Sequence, residues 1–132
     1  ITESGLIENL SLATRIIEGL EPLGVKLYLD DFGTGYSALG YLHQLPIHVL
    51  KIDKSFVDQL TQKENPLVDA ILSLAHSLKL TVVAEGIENP KQWALLKRKG
   101  CQFGQGYIVS KPLPADKAME LLLKHTEMVL PI

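Results

Sequence analysis

Apolar positions recur along the chain in two forms, short continuous runs and helical stripes, with turn residues between them. From Leu6 to Leu20, the residues Leu6, Leu10, Ala13 and Ile17 follow helical spacing, and Ile16 and Leu20 widen the stripe. Ser4-Gly5 can start this helix and Pro22-Leu23-Gly24 stops it. Four apolar runs follow, at 25–29, 47–52, 80–84 and within 101–107. Each is flanked by Gly, Pro, Asp or Asn, which predicts four short strands. Ser37 caps a short helix through Leu42. A linker at 61–65 leads into a helix over 66–78, with Val68, Ile71, Leu72, Ala75 and Leu78 on its buried face. Asn89-Pro90 opens a further helix that Gly100 closes, and Pro114-Ala115-Asp116 starts a last one to about His125. One helix followed by four strand–helix units predicts an α/β fold, a parallel sheet with helices outside.

Composition narrows this only a little. The 132 residues suffice for one domain, and 46% hydrophobic with 21% charged is ordinary globular usage. A net charge of -2 disfavours bulk nucleic-acid binding, while a small anionic ligand stays open because local charge decides that. The single cysteine, Cys101, has no internal disulfide partner and reads as a packed thiol. No apolar run approaches a membrane span, and no basic-then-apolar leader opens the chain, so a soluble, cytoplasmic-type domain without membrane contact is expected. The start at Ile1, without methionine, reads as cut from something longer.

The polar residues of the strands change the picture more. Strand one ends in Asp30 and Asp31, strand two carries Lys51 and Asp53, strand three ends in Glu85 and strand four in Gln105. In parallel α/β folds the C-terminal strand ends share one face, where sites are built. Asp30, Asp31 and Glu85 offer hard oxygen ligands suited to Mg²⁺ or Mn²⁺. Adjacent aspartates point to opposite faces of a regular strand, so both reach one site if the chain leaves the strand there. Lys51 could orient a water beside the metals for attack on a phosphodiester. Plainer roles stay open: Asp30-Asp31 as turn residues, Lys51 paired with Asp53 or Asp30, Glu85 capping a loop amide. His43, His48, His76 and His125 lack ligand spacing, and Trp93 reads as packing with Leu96.

These motifs, taken in order, resemble the EAL domain family. Asp30-Asp31-Phe32-Gly33-Thr34-Gly35-Tyr36-Ser37 is similar to its DDFGTGYS loop, and Lys51-Ile52-Asp53-Lys54-Ser55-Phe56 to its KIDKSF strand. Val83-Ala84-Glu85-Gly86-Ile87-Glu88 resembles AEGVE, and Gln105-Gly106-Tyr107 with Ser110-Lys111-Pro112-Leu113 resembles the family's final stretch. The resemblance implies a modified TIM barrel and hydrolysis of cyclic-di-GMP to linear pGpG. It implies that Asp30 bridges two metals, Mg²⁺ or Mn²⁺, that Asp31 serves the second, and that Lys51 positions the attacking water. It assigns Glu85 to the metal–water network, Gln105 to ordering the site, and Gln105, Gly106 and Tyr107 to the substrate side. Glu3 would brace the loop of Phe32, Gly33, Thr34 and Gly35, which in this family couples metal binding to dimerisation.

The Glu-Ala-Leu signature, the asparagine ligand after it, and the first glutamate of the family's E-x-T-E pattern have no counterpart in residues 1–132. The whole chain is therefore expected to be the C-terminal half, about (βα)₄, of one EAL barrel, with an incomplete two-metal site and no activity on its own. Its partners would be cyclic-di-GMP, the N-terminal half, a fused sensor or cyclase domain, and further copies of itself through exposed sheet edges. A degenerate EAL domain acting as a cyclic-di-GMP receptor, or a dimerisation module, is the alternative.

Overall fold

The computed structural model describes residues 1–2, 5, 10–33, 42–61 and 65–124. Four strands pair in parallel in the order β1 (Tyr28–Phe32), β2 (Val49–Ile52), β3 (Thr81–Ala84), β4 (Phe103–Gly104). The helices are α1 (Leu10–Leu20), α2 (Lys54–Asp58), α3 (Pro66–Ser77), α4 (Pro90–Arg98) and α5 (Ala115–Lys124). Each connection between paired strands carries helical turns, as parallel pairing demands.

The sheet has one covered and one open face. Leu29, Leu50, Ile52, Val82 and Ala84 lie in the core with Val57, Val68, Leu72, Ala75 and Leu96 of the helices. Tyr28, Asp30, Lys51, Thr81 and Val83 alternate with them and stay partly or fully exposed. The helices start where their caps dictate. Asn65 accepts the Leu67 N–H at 3.0 Å ahead of Pro66, and Asn89 forms a reciprocal capping box with Gln92 ahead of Pro90. The expected buried face of α3 is found, with Leu78 only half-covered.

Three expectations need correction. Strand one runs over Tyr28–Phe32, not 25–29. Apolar burial extends below the ladder, because the Leu27 carbonyl takes the N–H groups of both His48 (3.0 Å) and Val49 (3.1 Å) without entering regular pairing. For the same reason β2 begins at Val49 rather than Ile47. Ile16 does not join the buried stripe of α1: it is 54% exposed, and only Ile17 of that helix is fully buried. Between β2 and the linker, a stretch for which the sequence predicted no element, Asp53 accepts the Ser55 N–H at 2.9 Å and starts α2. The helix expected from Ser37, and the start of the helix expected from Leu6, lie outside the described residues. Among the described residues no helix is long and apolar enough to cross a membrane.

Cys101 is the buried thiol expected of it, with its Sγ 3.2 Å from the Phe103 carbonyl. Burial pushes its pKa up to about 11. A raised value means the thiol's contribution to stability is present below the unfolded value near 9.0 and is lost as pH climbs through about 11. The native protein should therefore resist iodoacetamide at pH 8, while denatured protein reacts fully, as mass spectrometry of the modified peptide will show. Comparable labelling of native protein would mean that the thiol is accessible.

Candidate functional site

The open face becomes chemical at the C-terminal ends of the strands. The key local event is a bulge in β1. Leu29 pairs with Leu50 and Phe32 with Ile52, so three residue steps on β1 match two on β2. Both Leu29 and Phe32 are buried on the helix side, and the extra residue leaves Asp30 and Asp31 together off that side. Asp31 takes φ +57°, a left-handed conformation that Asp tolerates better than most residues. Asp30 is also tied on its outer edge, where its N–H donates to the Ile1 carbonyl at 2.7 Å and Thr2 forms a parallel bridge with it. The expectation that the chain leaves the strand at the aspartates is thus replaced by a bulge within a continuing strand.

Lys51 stands between the acids. Its Nζ donates to both carboxylate oxygens of Asp30 at 2.9 Å and forms an ion pair with Glu85. It does not pair with Asp53, whose carboxylate is held below its ordinary range by hydrogen bonds from Ser55. Burial alone would lower the Lys51 pKa, but hydrogen bonds and charges from Glu85 and Asp30 outweigh it, and the net shift is upward. Glu85 follows β3 directly, its N–H bonded to the Ile52 carbonyl at 3.0 Å. Gln105 stands beside it, its N–H on the Ala84 carbonyl at 2.9 Å and its Nε2 donating to Glu85 Oε1 at 2.7 Å.

Asp30, Asp31 and Glu85 each offer one oxygen within 4.8 Å of the others. An all-oxygen, anionic donor set of this span fits a hard divalent cation, and such a cation would relieve the repulsion among the carboxylates. Phe32 is buried, and a Cβ on Gly33 would come within 2.9 Å of the Phe56 ring, so the start of the following loop is pinned to α2. Glu3, Thr34 and Gly35 lie outside the described residues. Gly106 lies against the Ile87 peptide, and the exposed Tyr107 ring has the Lys111 ammonium 5.6 Å from its centroid. Sequence reasoning missed two groups next to this site. Gln92 is buried and accepts the N–H groups of Glu88 (2.9 Å) and Asn89 (3.2 Å); the Asn89-x-x-Gln92 capping signature could have found it. Lys54 pairs with Glu88 across 34 residues, a link no local pattern carries.

Comparison with known proteins bears on the family and the fold. Residues 1–112 match the model of the EAL domain. The chain is 44% identical over 124 residues to the cyclic di-GMP phosphodiesterase NbdA of Pseudomonas aeruginosa, covering 92% of this chain and 16% of that one. In three dimensions it matches the MucR phosphodiesterase of Pseudomonas aeruginosa, solved with c-di-GMP, at a TM-score of 0.83 and 40% identity, covering 89% of this chain and 49% of that one. It also matches Klebsiella pneumoniae BlrP1, solved with manganese and c-di-GMP, at a TM-score of 0.76 and 31% identity, covering 84% of this chain and 29% of that one.

Proposed function

The chain belongs to the EAL domain family, and from that membership we propose that the protein hydrolyses one phosphodiester bond of cyclic-di-GMP to give linear pGpG in bacterial signalling. The observation that carries this reading is Lys51 held between Asp30 and Glu85, with Asp31 completing a three-carboxylate cluster. The phosphodiesterase relatives support it.

Asp30, Asp31 and Glu85 would hold Mg²⁺ or Mn²⁺. When bound, such a cation supplies Lewis acidity toward the phosphate and an acidified water. The chain's own contributions are positional. Lys51 places its ammonium charge between two carboxylates, where it would polarise the attacking water. Gln105 fixes the orientation of Glu85 through its amide donor. Gln105, Gly106 and Tyr107 line the substrate side, and Phe32 and Gly33 hold the start of the loop after β1.

Residues 1–132 form the C-terminal portion of one EAL barrel in this proposal. The remaining ligands come from an N-terminal portion, with a sensor or cyclase domain beyond it, in a protein that keeps this portion in the cytoplasm and assembles as a homo-oligomer. The test is cyclic-di-GMP turnover with Mg²⁺ and with Mn²⁺. Full-length protein should turn substrate over and lose activity to EDTA, and residues 1–132 alone should not. Turnover by the short chain would mean that its three carboxylates suffice. Binding without hydrolysis by the full-length protein would move the assignment to a receptor.

A further inference from the structure

The turn that presents Glu85 is held from several sides, and one of its supports, Lys54 of the 51–56 motif, has no role in the site as described so far. Three of its backbone N–H groups are tied: Glu85 N–H to the Ile52 carbonyl (3.0 Å), Ile87 N–H to the Gln105 carbonyl (3.0 Å) and Glu88 N–H to Gln92 Oε1 (2.9 Å). Gly86 lies between these ties. Its φ is +67°, and a Cβ there would fall 2.3 Å from Lys54 Cγ and 2.6 Å from both Lys54 Cβ and Cδ. The turn therefore crosses the methylene stem of Lys54 with no room for a side chain. Beyond the crossing, the Lys54 ammonium pairs with Glu88.

Lys54 is itself aimed by what precedes it. Asp53 caps α2 through the Ser55 N–H, so the chain turns from strand to helix at the residue before Lys54. Lys51 and Lys54 thus leave one rigid strand-to-helix corner, the first reaching Glu85 and the second spanning the turn behind it. Gln92 links the same corner from below, its amide 3.4 Å from the Val57 carbonyl.

We propose that Lys54 is a positioning residue, clamping the turn of residues 85–88 so that the Glu85 carboxylate keeps its contacts with Lys51 and Gln105. This rests on the phosphodiesterase reading above. Lys54 and Glu88 side chains are 47% and 45% exposed, and exposed ion pairs contribute little by themselves. The clamp acts chiefly through the stem under Gly86, with the ion pair fixing its direction. An error of about 1 Å in a reacting group can cost about a hundredfold in rate.

The test combines amide hydrogen exchange with steady-state kinetics on full-length Lys54→Ala and Lys54→Arg. In Lys54→Ala the Ile87 and Glu88 amides should exchange about 10-fold faster, while amides of β2 and β3 keep their wild-type rates. Its kcat should fall about 10-fold with KM within about twofold, the signature of lost alignment rather than lost binding. Lys54→Arg keeps a stem and a cation and should restore both readouts. Unchanged exchange at Ile87 and Glu88 would overturn the proposal whatever the activity. So would acceleration spread evenly through β2 and β3, which would make Lys54 a general stability residue. A raised KM at constant kcat would make it a substrate contact instead. Exchange needs no turnover, so a wild-type protein that proves inactive would sink the phosphodiesterase reading and still leave the clamp to be judged.

Discussion

Replacing Lys51 with methionine is expected to lower kcat for cyclic-di-GMP by about 10³-fold while KM moves only a few-fold. Methionine keeps most of the stem's volume, so the change isolates the ammonium. That group makes three contacts with two carboxylates and is the only cation bonded to Asp30 or Glu85 among the described contacts. Without it, Asp30, Asp31 and Glu85 face one another within 4.8 Å, and any water near them loses the neighbouring positive charge. Lys51→Arg should rescue poorly, because a planar guanidinium cannot replace a compact ammonium between two closely spaced acids. The stability cost should be about 1–3 kcal/mol, since Asp30 is partly exposed whereas the largely covered Glu85 carboxylate loses a charged partner. The pH dependence has a definite sign. Burial lowers the Lys51 pKa but Glu85 and Asp30 raise it further, so its share of stability is present below the unfolded value and is lost as pH rises through the folded one. A methionine variant retaining a tenth or more of wild-type kcat would reduce Lys51 to a structural ion pair.

What the sequence made legible follows from the range of the interactions involved. Strand and helix order could be read because the apolar runs and the caps, Asn65-Pro66 and Asn89-Pro90, act within a few residues. The residue types of the acidic site could be read because a charge at the end of an apolar strand needs a partner. The means of bringing Asp30 and Asp31 to one side could not. The bulge depends on the register of β1 against β2 and on the tie from Asp30 to Ile1, both of which join segments far apart in sequence. The same limit hid Lys54, whose contacts with Gly86 and Glu88 exist only after β2 and β3 have paired. Ile16 misled for a related reason: helical spacing marks which residues share a face, not which part of that face finds a neighbour, and here it stays exposed.

Gly106 should be the least replaceable of the described glycines, and Gly106→Ala should destabilise the protein by about 2–4 kcal/mol. A Cβ built there lies 2.2 Å from the Ile87 carbonyl oxygen and 2.3 Å from the Ile87 nitrogen, both backbone atoms that no rotamer change can move. Those atoms are already committed. Ile87 donates its N–H to the Gln105 carbonyl at 3.0 Å and accepts the Ile108 N–H at 2.9 Å, so Gly106 sits inside a pair of hydrogen bonds that join two site segments. Admitting a methyl group means opening one of them, and each leads to a site residue: Gln105 on one segment, Glu85 two residues before Ile87 on the other. Stability and turnover should therefore fall together. Gly19 is the control, since nothing lies within 4 Å of its Cβ position and it keeps helical backbone in the last turn of α1. Gly19→Ala should stabilise by about 0.5–1 kcal/mol without touching activity. Urea denaturation of the two variants checks both signs at once. If Gly106→Ala unfolds at the wild-type midpoint, the segments at 87 and 106 do not cross as closely as their hydrogen bonds imply, and the rigid support assigned to Glu85 and Gln105 fails with them.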